Sequence, residues 1–267
     1  MNKYLAISKT TIEQEMAYRI NFVMSRVRNL FGIILLYYLW SSVFASGTTQ
    51  VFGYDREKIL TYVFMVLIIK SFVFTSKAGD IAGEIAQGEL NKYLVKPINF
   101  TYYYLAKDAG AKLLNTLFSV FEFALLFLLF KPPIVIQGDI STLFFFIISL
   151  LLAVLIYFNI VRLTSFITFS LPEYAWGAHF LISGVITTFL SGAVFPIDIL
   201  PLALQKAIYL TPFPYLLFFP LEIYLGRLTM DFIIFGVAMS FFWLLILFFI
   251  SQRVWRSGLK VYGAYGG

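Results

Sequence analysis

The 267-residue chain is 60% hydrophobic and 19% aromatic, only 13% of its residues are charged, and its mean hydropathy is +0.86. Soluble domains average about 25% charged residues, so this composition excludes a soluble domain. Several apolar runs approach or exceed the roughly 20 residues that cross a hydrocarbon core. The alternating ten-residue segments of a transmembrane barrel are absent from the sequence. We therefore predict an all-α membrane protein with several spans.

The polar composition also excludes several kinds of site. The sequence has no cysteine, which rules out disulfides and thiolate metal sites. Its single histidine, His179, cannot form a histidine-based metal cluster and is expected to be a packing or hydrogen-bonding residue. The net charge of +6 is carried by basic residues that flank the apolar runs, where membrane orientation explains them. We therefore expect no metal site and no nucleic-acid partner.

The N-terminal segment, residues 1–29, predicts an amphipathic helix that lies at the membrane interface and leads into the first span. Its apolar residues recur at spacings of three and four, which places them on one helical face. They are Ile12, Met16, Ile20, Val23, Val27 and Leu30. A solvated charged leader is the alternative. We expect no cleavable signal peptide, because no apolar core followed by a small-residue cleavage site is present.

Hydropathy predicts six transmembrane helices within residues 30–250, followed by a cytosolic tail over 251–267. The fourth is long enough to tilt or to project beyond the bilayer. The six predicted spans are Leu30–Ser46, Ile59–Ser76, Gly110–Phe130, Thr142–Ser170, Ala175–Val194 and Asp231–Ile250.

The basic residues predict the orientation of these spans, because cytoplasmic loops carry an excess of Lys and Arg. One side of the predicted membrane holds Lys3, Lys9, Arg19, Arg26, Arg28, Lys77, Lys92, Lys96, Lys107, Lys112, Arg253, Arg256 and Lys260. The other side holds only Arg56, Lys58, Lys131, Lys206 and Arg227. This asymmetry places both termini and the loop from Lys77 to Lys107 in the cytoplasm.

A polar segment separates the second and third spans. Acidic and amide side chains fall on one helical face, and apolar side chains fall on the other. The polar face comprises Asp80, Glu84 and Gln87, and the apolar face comprises Ile81, Ile85 and Leu90. Pro97 ends any helix at about Lys96. The pattern predicts a short amphipathic helix on the membrane surface that docks a protein from the cytosol; a solvated loop is the alternative.

Three polar residues fall inside predicted spans. Glu122 lies about 18 Å into the third span and Arg162 roughly 12 Å from the inner end of the fourth, at 1.5 Å per residue. Asn159 lies one turn from Arg162. A charge within the bilayer is costly unless it faces a partner or a wet cavity. We therefore predict that Glu122 and Arg162, with Asn159 nearby, face the bundle interior, where they either stabilise helix packing or line a translocation path. An arginine side chain is long enough for the two charges to pair.

The outer segment from Phe195 to Arg227 combines apolar runs with five of the nine prolines of the chain. Proline breaks helices, and broken helices at membrane depth persist only when buried in protein or lining a wet cavity. We predict short re-entrant helices over about residues 195–220. A surface loop is the alternative, but it would expose a large aromatic patch to water. The prolines are Pro196, Pro201, Pro212, Pro214 and Pro220.

Nothing in the sequence predicts catalysis. The phosphate-binding motif G-x-x-x-x-G-K-[ST] is absent. The motifs G-x-S-x-G and H-E-x-x-H are absent as well. We therefore expect that the chain is not an enzyme and binds no cofactor itself.

Taken together, these features resemble the ABC-2 type transporter permeases, in a bacterial group that includes multidrug export components. The resemblance spans nearly the whole chain. It rests on Gly-Glu-Ile-x-x-Gly-Glu-Leu at 83–90, Leu-x-Lys-Pro-Ile at 94–98, and the stretch from Ser191 through Phe195-Pro196 to Thr211-Pro212-Phe213. No large extracellular domain is visible, which argues against the mechanotransducing branch of the family.

The resemblance implies a type V exporter architecture in the bacterial cytoplasmic membrane. Two permease subunits, identical or paralogous, would each offer a cytosolic coupling helix to a separately encoded ABC ATPase that binds ATP and magnesium. Residues 1–29 would form the connecting helix, and residues 80–94 the coupling helix. The coupling helix would start at Asp80. The positions that match the family pattern are Gly83, Glu84, Gly88, Glu89, Lys96 and Pro97. The outer gate would include Phe195, Pro196, Pro201 and Pro212.

Three functions follow as expectations. The first is export of a hydrophobic or amphipathic drug, lipid or peptide, driven by the ATPase. The second is a membrane anchor or sensor subunit that transports nothing. The third, a membrane-embedded transferase, is weakened because the sequence shows no nucleophile or metal pattern.

Overall fold

A computed structural model describes residues 2–45 and 49–262, and it is built from helices. Within these ranges the only β contact is an isolated bridge between Val51 and Tyr54. The predicted end of the first span at Ser46 and the last part of the predicted tail lie outside the described residues. The long helices are α1 (Asn2–Ala17), α2 (Arg19–Ala45), α3 (Arg56–Val73), α6 (Phe100–Phe130), α7 (Ile140–Phe166) and α12 (Met230–Val261).

Short helices connect and cover the long ones. They are α4 (Asp80–Ala86), α5 (Asn91–Leu94), α8 (Ala175–His179), α9 (Thr187–Leu190), α10 (Leu202–Tyr209) and α11 (Phe218–Tyr224). Five 3-10 turns cover Lys77–Gly79, Ile167–Phe169, Pro172–Tyr174, Ile197–Ile199 and Pro214–Leu216, and a π-helical turn covers Phe180–Ile186.

Four described helices are long and apolar enough to cross a membrane. They match the first, third, fourth and sixth predicted spans, and they are Ile20–Ala45, Phe100–Phe130, Ile140–Phe169 and Met230–Val261. A fifth is counted if Arg56–Val73 and Lys77–Ala86, which meet at a bend of 46°, form one broken span. The protein is therefore a helical membrane protein with several spans.

The predicted fifth span, Ala175–Val194, is not one regular helix. It consists of α8, the π-helical turn and α9, and it ends at Leu190. This run is shorter than the roughly 20 residues that a straight span requires. The total of six spans therefore remains a prediction.

The N-terminal boundary differs from the predicted one. The helical segment expected over residues 1–29 is divided at Tyr18, and α2 then runs unbroken from Arg19 into the first span. The predicted apolar stripe is largely uncovered by the rest of the chain, since Met16, Ile20 and Val23 are each more than half exposed. Such a face suits contact with lipid.

Helix α7 lies at the centre of the bundle. It packs against α12, α11, α3 and α4. Half of the residues in its apolar 18-residue stretch are buried within the chain, whereas only about a fifth are buried in the corresponding stretches of the other three candidate spans. This agrees with its composition, because a helix that is apolar on all sides is typical of a buried position.

Candidate functional site

The polar segment between α3 and α6, residues 77–98, folds as a compact turn that we call the elbow. It is not the single helix predicted over 80–94. Helix α4 ends at Ala86, Gly88 adopts a left-handed conformation with φ of 72°, and α5 begins at Asn91. Glycine favours this conformation and commonly follows a helix C-terminus, so the second glycine of the motif is where the chain turns.

The apolar face of the elbow is buried within the protein, whereas the sequence predicted a helix lying on the membrane surface. Ile81, Ile85 and Leu90 are buried, and α4 packs against α7. Asp80 and Gln87 are exposed on the other side. Burial of the apolar face therefore attaches the elbow to the central helix.

Glu84 is not on the free side of α4. Its carboxylate accepts a hydrogen bond from the hydroxyl of Tyr93 on α5 over 2.8 Å, and another from the hydroxyl of Tyr104 on α6. Burial and the bond to Glu84 raise the pKa of Tyr93. Glu84 therefore joins the two halves of the elbow to α6 and is a positioning residue.

Ionic contacts join the elbow to further helices. Lys77 forms an ion pair with Glu15 on α1, and Lys107 on α6 lies 3.1 Å from Asp80. The backbone N–H of Leu90 donates to the hydroxyl of Tyr262, directly after α12, over 3.2 Å. The elbow is therefore connected to α1, α6 and the end of α12.

Asp108 on α6 binds the start of the elbow. Its carboxylate accepts from the backbone N–H of Lys77 and from the Ser76 hydroxyl. Lys112, one turn further along α6, lies 3.7 Å from Asp108 and donates to the carbonyl of Thr75. Both charged side chains are buried, so they compensate each other.

One set of elbow residues is exposed. We call it the elbow surface: Gly83, Ala86, Gln87, Leu94, Val95 and Lys96, all of them exposed. A Cβ atom added to Gly83 would meet no heavy atom within 4 Å. Val95 is 81% exposed although it is apolar. The elbow thus exposes small residues on α4 and an apolar pair at the end of α5, and both suit close approach of another protein.

The remaining predicted coupling residues lie at or beside this surface. Glu89 is exposed and bonds to Lys92 three residues on. Gly88 is half-buried at the turn, and Pro97 is exposed, where its carbonyl accepts from Lys3 on α1 over 3.3 Å.

Glu122 and Arg162 are both buried in the bundle, but they do not pair with each other. Glu122 on α6 instead accepts from both Nε and Nη2 of Arg26 on α2, with the Nε to Oε1 distance at 2.7 Å. Arg26 also donates to Ser71 on α3 and to Asn115 on α6, each over 3.3 Å. In the sequence, Arg26 counts only toward the charge asymmetry that orients the chain. Its role follows from the length of α2, which carries it into the bundle.

Arg162 lies in a different cluster, with the hydroxyls of Ser251 on α12 and Thr101 on α6. Asn159 donates only to the carbonyl of Leu155, one turn back on α7. The predicted intramembrane residues are therefore divided between two clusters, because α6 presents Glu122 toward α2 while α7 presents Arg162 toward α12.

The predicted gate residues lie at the junctions of short helices. Pro196 and Pro212 are buried, Phe195 is half-buried, and Pro201 is exposed immediately before α10. The predicted short helices between Phe195 and Pro220 are present as α10, α11 and two 3-10 turns. Their depth in a membrane and their role as a gate remain predictions.

Sequence reasoning missed a charged cluster beside these helices. Tyr54 donates to Glu222 over 2.7 Å, and Arg227 contacts Asp198 over 2.8 Å and Glu222 over 3.0 Å. Arg227 also lies over the ring of Tyr54, 3.5 Å from its centroid. Glu222 lies outside the candidate spans; burial raises its pKa to about 7, against the opposing effect of Arg227. No sequence spacing indicated this cluster, whose members come from three separate parts of the chain: Tyr54, Asp198, and the neighbouring Glu222 and Arg227.

The chain is thus a helical membrane protein. Its elbow is attached to several helices, and the elbow surface is exposed. Residues 30–266 match the family described as ABC-2 family transporter protein. This is most of the chain, and the protein therefore belongs to that family, as the resemblance indicated. A comparison with curated proteins gave no significant match. Members of this family are membrane components of transporters. They are generally not catalytic themselves and normally work with an ABC ATPase.

Proposed function

We propose that the chain is the permease subunit of an ATP-driven exporter in the bacterial cytoplasmic membrane. A separate ABC ATPase binds ATP and magnesium, and a second permease subunit, identical or paralogous, completes the transport path. Six spans cross the membrane and both termini are cytosolic. The observation that carries the proposal is the elbow, because it combines a firm attachment with an exposed surface.

The elbow is suited to transmit movement. Its base is joined to α1 through Lys77 and Glu15, to α6 through Glu84, and to the end of α12 through Leu90 and Tyr262. A force on the elbow surface therefore reaches several helices together. When nucleotide closes the ATPase dimer, the two elbows move with it, and the spans rearrange where the permeases meet.

An apolar cavity supports a hydrophobic or amphipathic substrate such as a drug, lipid or peptide. It has a volume of about 430 Å³, lies between the short outer helices and the start of α12, and opens onto the surface of the chain, where Phe232 and Phe235 are more than half exposed. Its walls include Tyr215, Phe219, Phe232, Phe235 and Met239. Substrate released toward the outer side would pass this cavity and the segment from Phe195 to Pro220.

Orientation can be tested with single cysteines, because the natural sequence has none. Gln87→Cys places a thiol on the elbow surface, and Ile136→Cys places one on the 86% exposed Ile136 between α6 and α7. A membrane-impermeant maleimide should label Ile136→Cys in intact cells and Gln87→Cys only after the cells are opened. The reverse pattern would reject the cytosolic elbow and with it the proposed function.

Coupling can be tested with Gly83→Trp, which obstructs the elbow surface at a position where an added Cβ atom meets no heavy atom within 4 Å. The matched control is Gly138→Trp, since Gly138 also has open space around it and lies in the connection between α6 and α7. With the co-purified ATPase in liposomes, we expect Gly83→Trp to lower permease-stimulated hydrolysis and dye export by about tenfold or more, as for a blocked interface centre. Equal activity of the two variants would reject the elbow as the coupling site. Stimulated hydrolysis by the natural protein without export of any hydrophobic dye would favour the anchor or sensor function.

A further inference from the structure

Arg28 on α2 and Lys70 on α3 line the same cavity, and neither has a counterion. Among the described residues, neither side chain forms an ion pair or a hydrogen bond. Lys70 is half-buried, and Arg28 is close enough for its charge to act on it. The cations Arg26 and Lys112, by contrast, each meet a carboxylate. Two cations that share a cavity in a membrane helix bundle favour a ligand that supplies the missing anion.

Both charged groups remain accessible. Arg28 is exposed, and Nζ of Lys70 lacks a partner without being fully buried, unlike Nη2 of Arg162. Asn29 and Ser71 add an amide and a hydroxyl to the same lining. The cavity therefore presents several polar groups to a ligand, two of them cationic.

The cations lie at one end of the cavity and aliphatic side chains lie at the other. Helices α2 and α3 run antiparallel here, because Arg26 donates to Ser71 over 3.3 Å and the rings of Tyr37 and Phe64 lie 6.0 Å apart. Residues that follow the cation on α2 therefore lie beside residues that precede the cation on α3. This apolar part of the lining comprises Gly32, Ile33, Leu35, Leu36, Val66 and Leu67.

The dimensions of the cavity suit a compact ligand. Its volume of about 390 Å³ falls within the usual range for sites of small molecules. From Arg28 to Leu36 it spans about 12 Å along α2, at 1.5 Å per residue. Leu35 is 69% exposed, so the cavity opens sideways onto the outside of the chain. A ligand with an anionic head and a short aliphatic tail therefore matches it in size and polarity.

The apolar end of the cavity reaches the start of the predicted gate segment. Ala193 and Val194 complete the lining and directly precede Phe195. They lie toward the outer end of α3, because the neighbouring Gly192 accepts a hydrogen bond from Tyr62 over 2.6 Å. A ligand in the cavity would thus lie between the two cations and the predicted outer gate, as a position on a transport path requires.

We propose that this cavity binds an amphipathic anion with one alkyl chain and that this anion is the exported compound, an assignment that rests on the proposed function. The anionic group accepts hydrogen bonds from Arg28 and Lys70, and the alkyl chain packs along Ile33, Leu36 and Leu67. The two cations are specificity-determining residues. A neutral compound would leave them without a counterion, and a cationic compound would be repelled.

The binding experiment is native mass spectrometry of the purified full-length protein in a neutral detergent, titrated with decyl phosphate or with decylphosphocholine. The two probes share the phosphate and the chain, and only the second carries a cation. We expect the natural protein to bind decyl phosphate about tenfold more tightly, as one charge-assisted hydrogen bond allows. The double variant Arg28→Gln with Lys70→Gln should lose this preference. Arg256→Gln removes an exposed cation on α12 outside the cavity and should change the preference less than about twofold.

A second variant keeps both cations and fills the cavity, and it decides the question if the double variant fails to fold. A Cβ atom at Gly32 would meet no heavy atom within 4 Å, so Gly32→Phe should weaken the binding of decyl phosphate about tenfold or more. Gly177→Phe is the matched control, because Gly177 on α8 has the same open surroundings and lies outside the cavity.

Three results would reject the site. They are equal binding of the two probes by the natural protein, a preference retained by the folded double variant, and unchanged binding by folded Gly32→Phe. The two cations would then only extend toward lipid headgroups, as lysine and arginine near helix ends commonly do. Displacement of decyl phosphate by phosphatidylglycerol at equal concentration would assign the cavity to a membrane lipid and overturn the assignment to an exported compound.

Export separates this inference from the proposed function. In liposomes with the ATPase, the natural protein should export a fluorescent alkyl phosphate faster than its neutral dimethyl ester, and the double variant should lose this difference. Equal export of both dyes would overturn the inference and leave the proposed function intact. Tight binding of decyl phosphate with export of neither dye would count against the proposed function, and the assignment to an exported compound would fail with it.

Discussion

Arg26 on α2 donates its Nε hydrogen to Oε1 of Glu122 on α6 over 2.7 Å, and both side chains are almost fully buried. The same guanidinium reaches Ser71 on α3. One side chain thus connects the first, second and third predicted spans. Removal of one member of such a pair leaves an uncompensated buried charge, which is far more costly than removal of both.

Glu122→Gln should therefore destabilise the protein by about 3–5 kcal/mol, and Arg26→Gln by a similar amount. The double variant Arg26→Gln with Glu122→Gln should be more stable than either single variant. Denaturant unfolding in mild detergent measures all three. The control is Glu122→Gln with Arg162→Gln, whose effects should add because the two residues share no partner. Additive effects of Arg26→Gln and Glu122→Gln would contradict the pairing.

The contacts of Glu84 predict a local effect on the elbow. Glu84→Ala should cost about 1–3 kcal/mol, because it leaves the buried hydroxyl of Tyr104 without its acceptor. Amide hydrogen exchange over residues 81–95 should accelerate, since α4 and α5 lose their connection. Glu89→Ala is the matched control, because its bond to Lys92 is exposed and is worth little. Unchanged exchange in Glu84→Ala would show that the tyrosine contacts do not hold the elbow.

Gly110 predicts how closely α1 approaches α6. A Cβ atom there would lie 2.3 Å from the backbone oxygen of Ser8, and Ser8 also donates to the carbonyl of Ala106 over 2.7 Å. Gly110→Ala should therefore separate the two helices and destabilise the protein by about 1–3 kcal/mol, although alanine favours helix. The rate of maleimide reaction at a reporter Thr11→Cys, on a residue buried in α1, should rise.

The control for this variant is Gly32→Ala on α2. No atom lies within 4 Å of a Cβ placed at Gly32, so only helix propensity changes, and stability should stay equal or rise by up to about 1 kcal/mol. Identical effects of the two alanines would exclude a close helix contact at Gly110.

The cluster around Glu222 predicts a dependence of stability on pH. Burial raises its pKa from 4.5 to about 7, with Tyr54, Asp198 and Arg227 as its charged or titratable neighbours. The folded state holds the proton of Glu222 more tightly than the unfolded state does. The resulting stabilisation of the folded state is complete below about pH 4.5 and is lost as the pH rises through about 7. The loss is about 3 kcal/mol.

The apparent Tm of the natural protein should accordingly fall more steeply between pH 5 and pH 8 than that of Glu222→Gln, which cannot ionise. Scanning fluorimetry across this range measures the difference. Glu57→Gln removes an exposed carboxylate on the first turn of α3 and should keep the slope of the natural protein. Parallel curves for the natural protein and Glu222→Gln would contradict the raised pKa.

Local patterns predicted the helices well and their ends less well. The apolar runs indicated α2, α6, α7 and α12, since hydrocarbon length sets how many apolar residues a span needs. The inward face of α4 followed from the spacing of Ile81 and Ile85. The break at Gly88 was missed because the motif fits one helix equally well, and only the packing of Leu90 and Tyr93 required the turn.

The sequence by itself determined the class of protein, its family and the polar connection after the second predicted span, because hydropathy, charge and short motifs are properties of neighbouring residues. Only the tertiary structure decided that Glu122 meets Arg26, that Arg162 has no counterion, and that Glu222 joins Asp198 and Arg227. The partner of a buried charge depends on which helices pack together and how each is rotated. Arg26 and Glu122, for example, are 96 positions apart, and no local pattern records their contact.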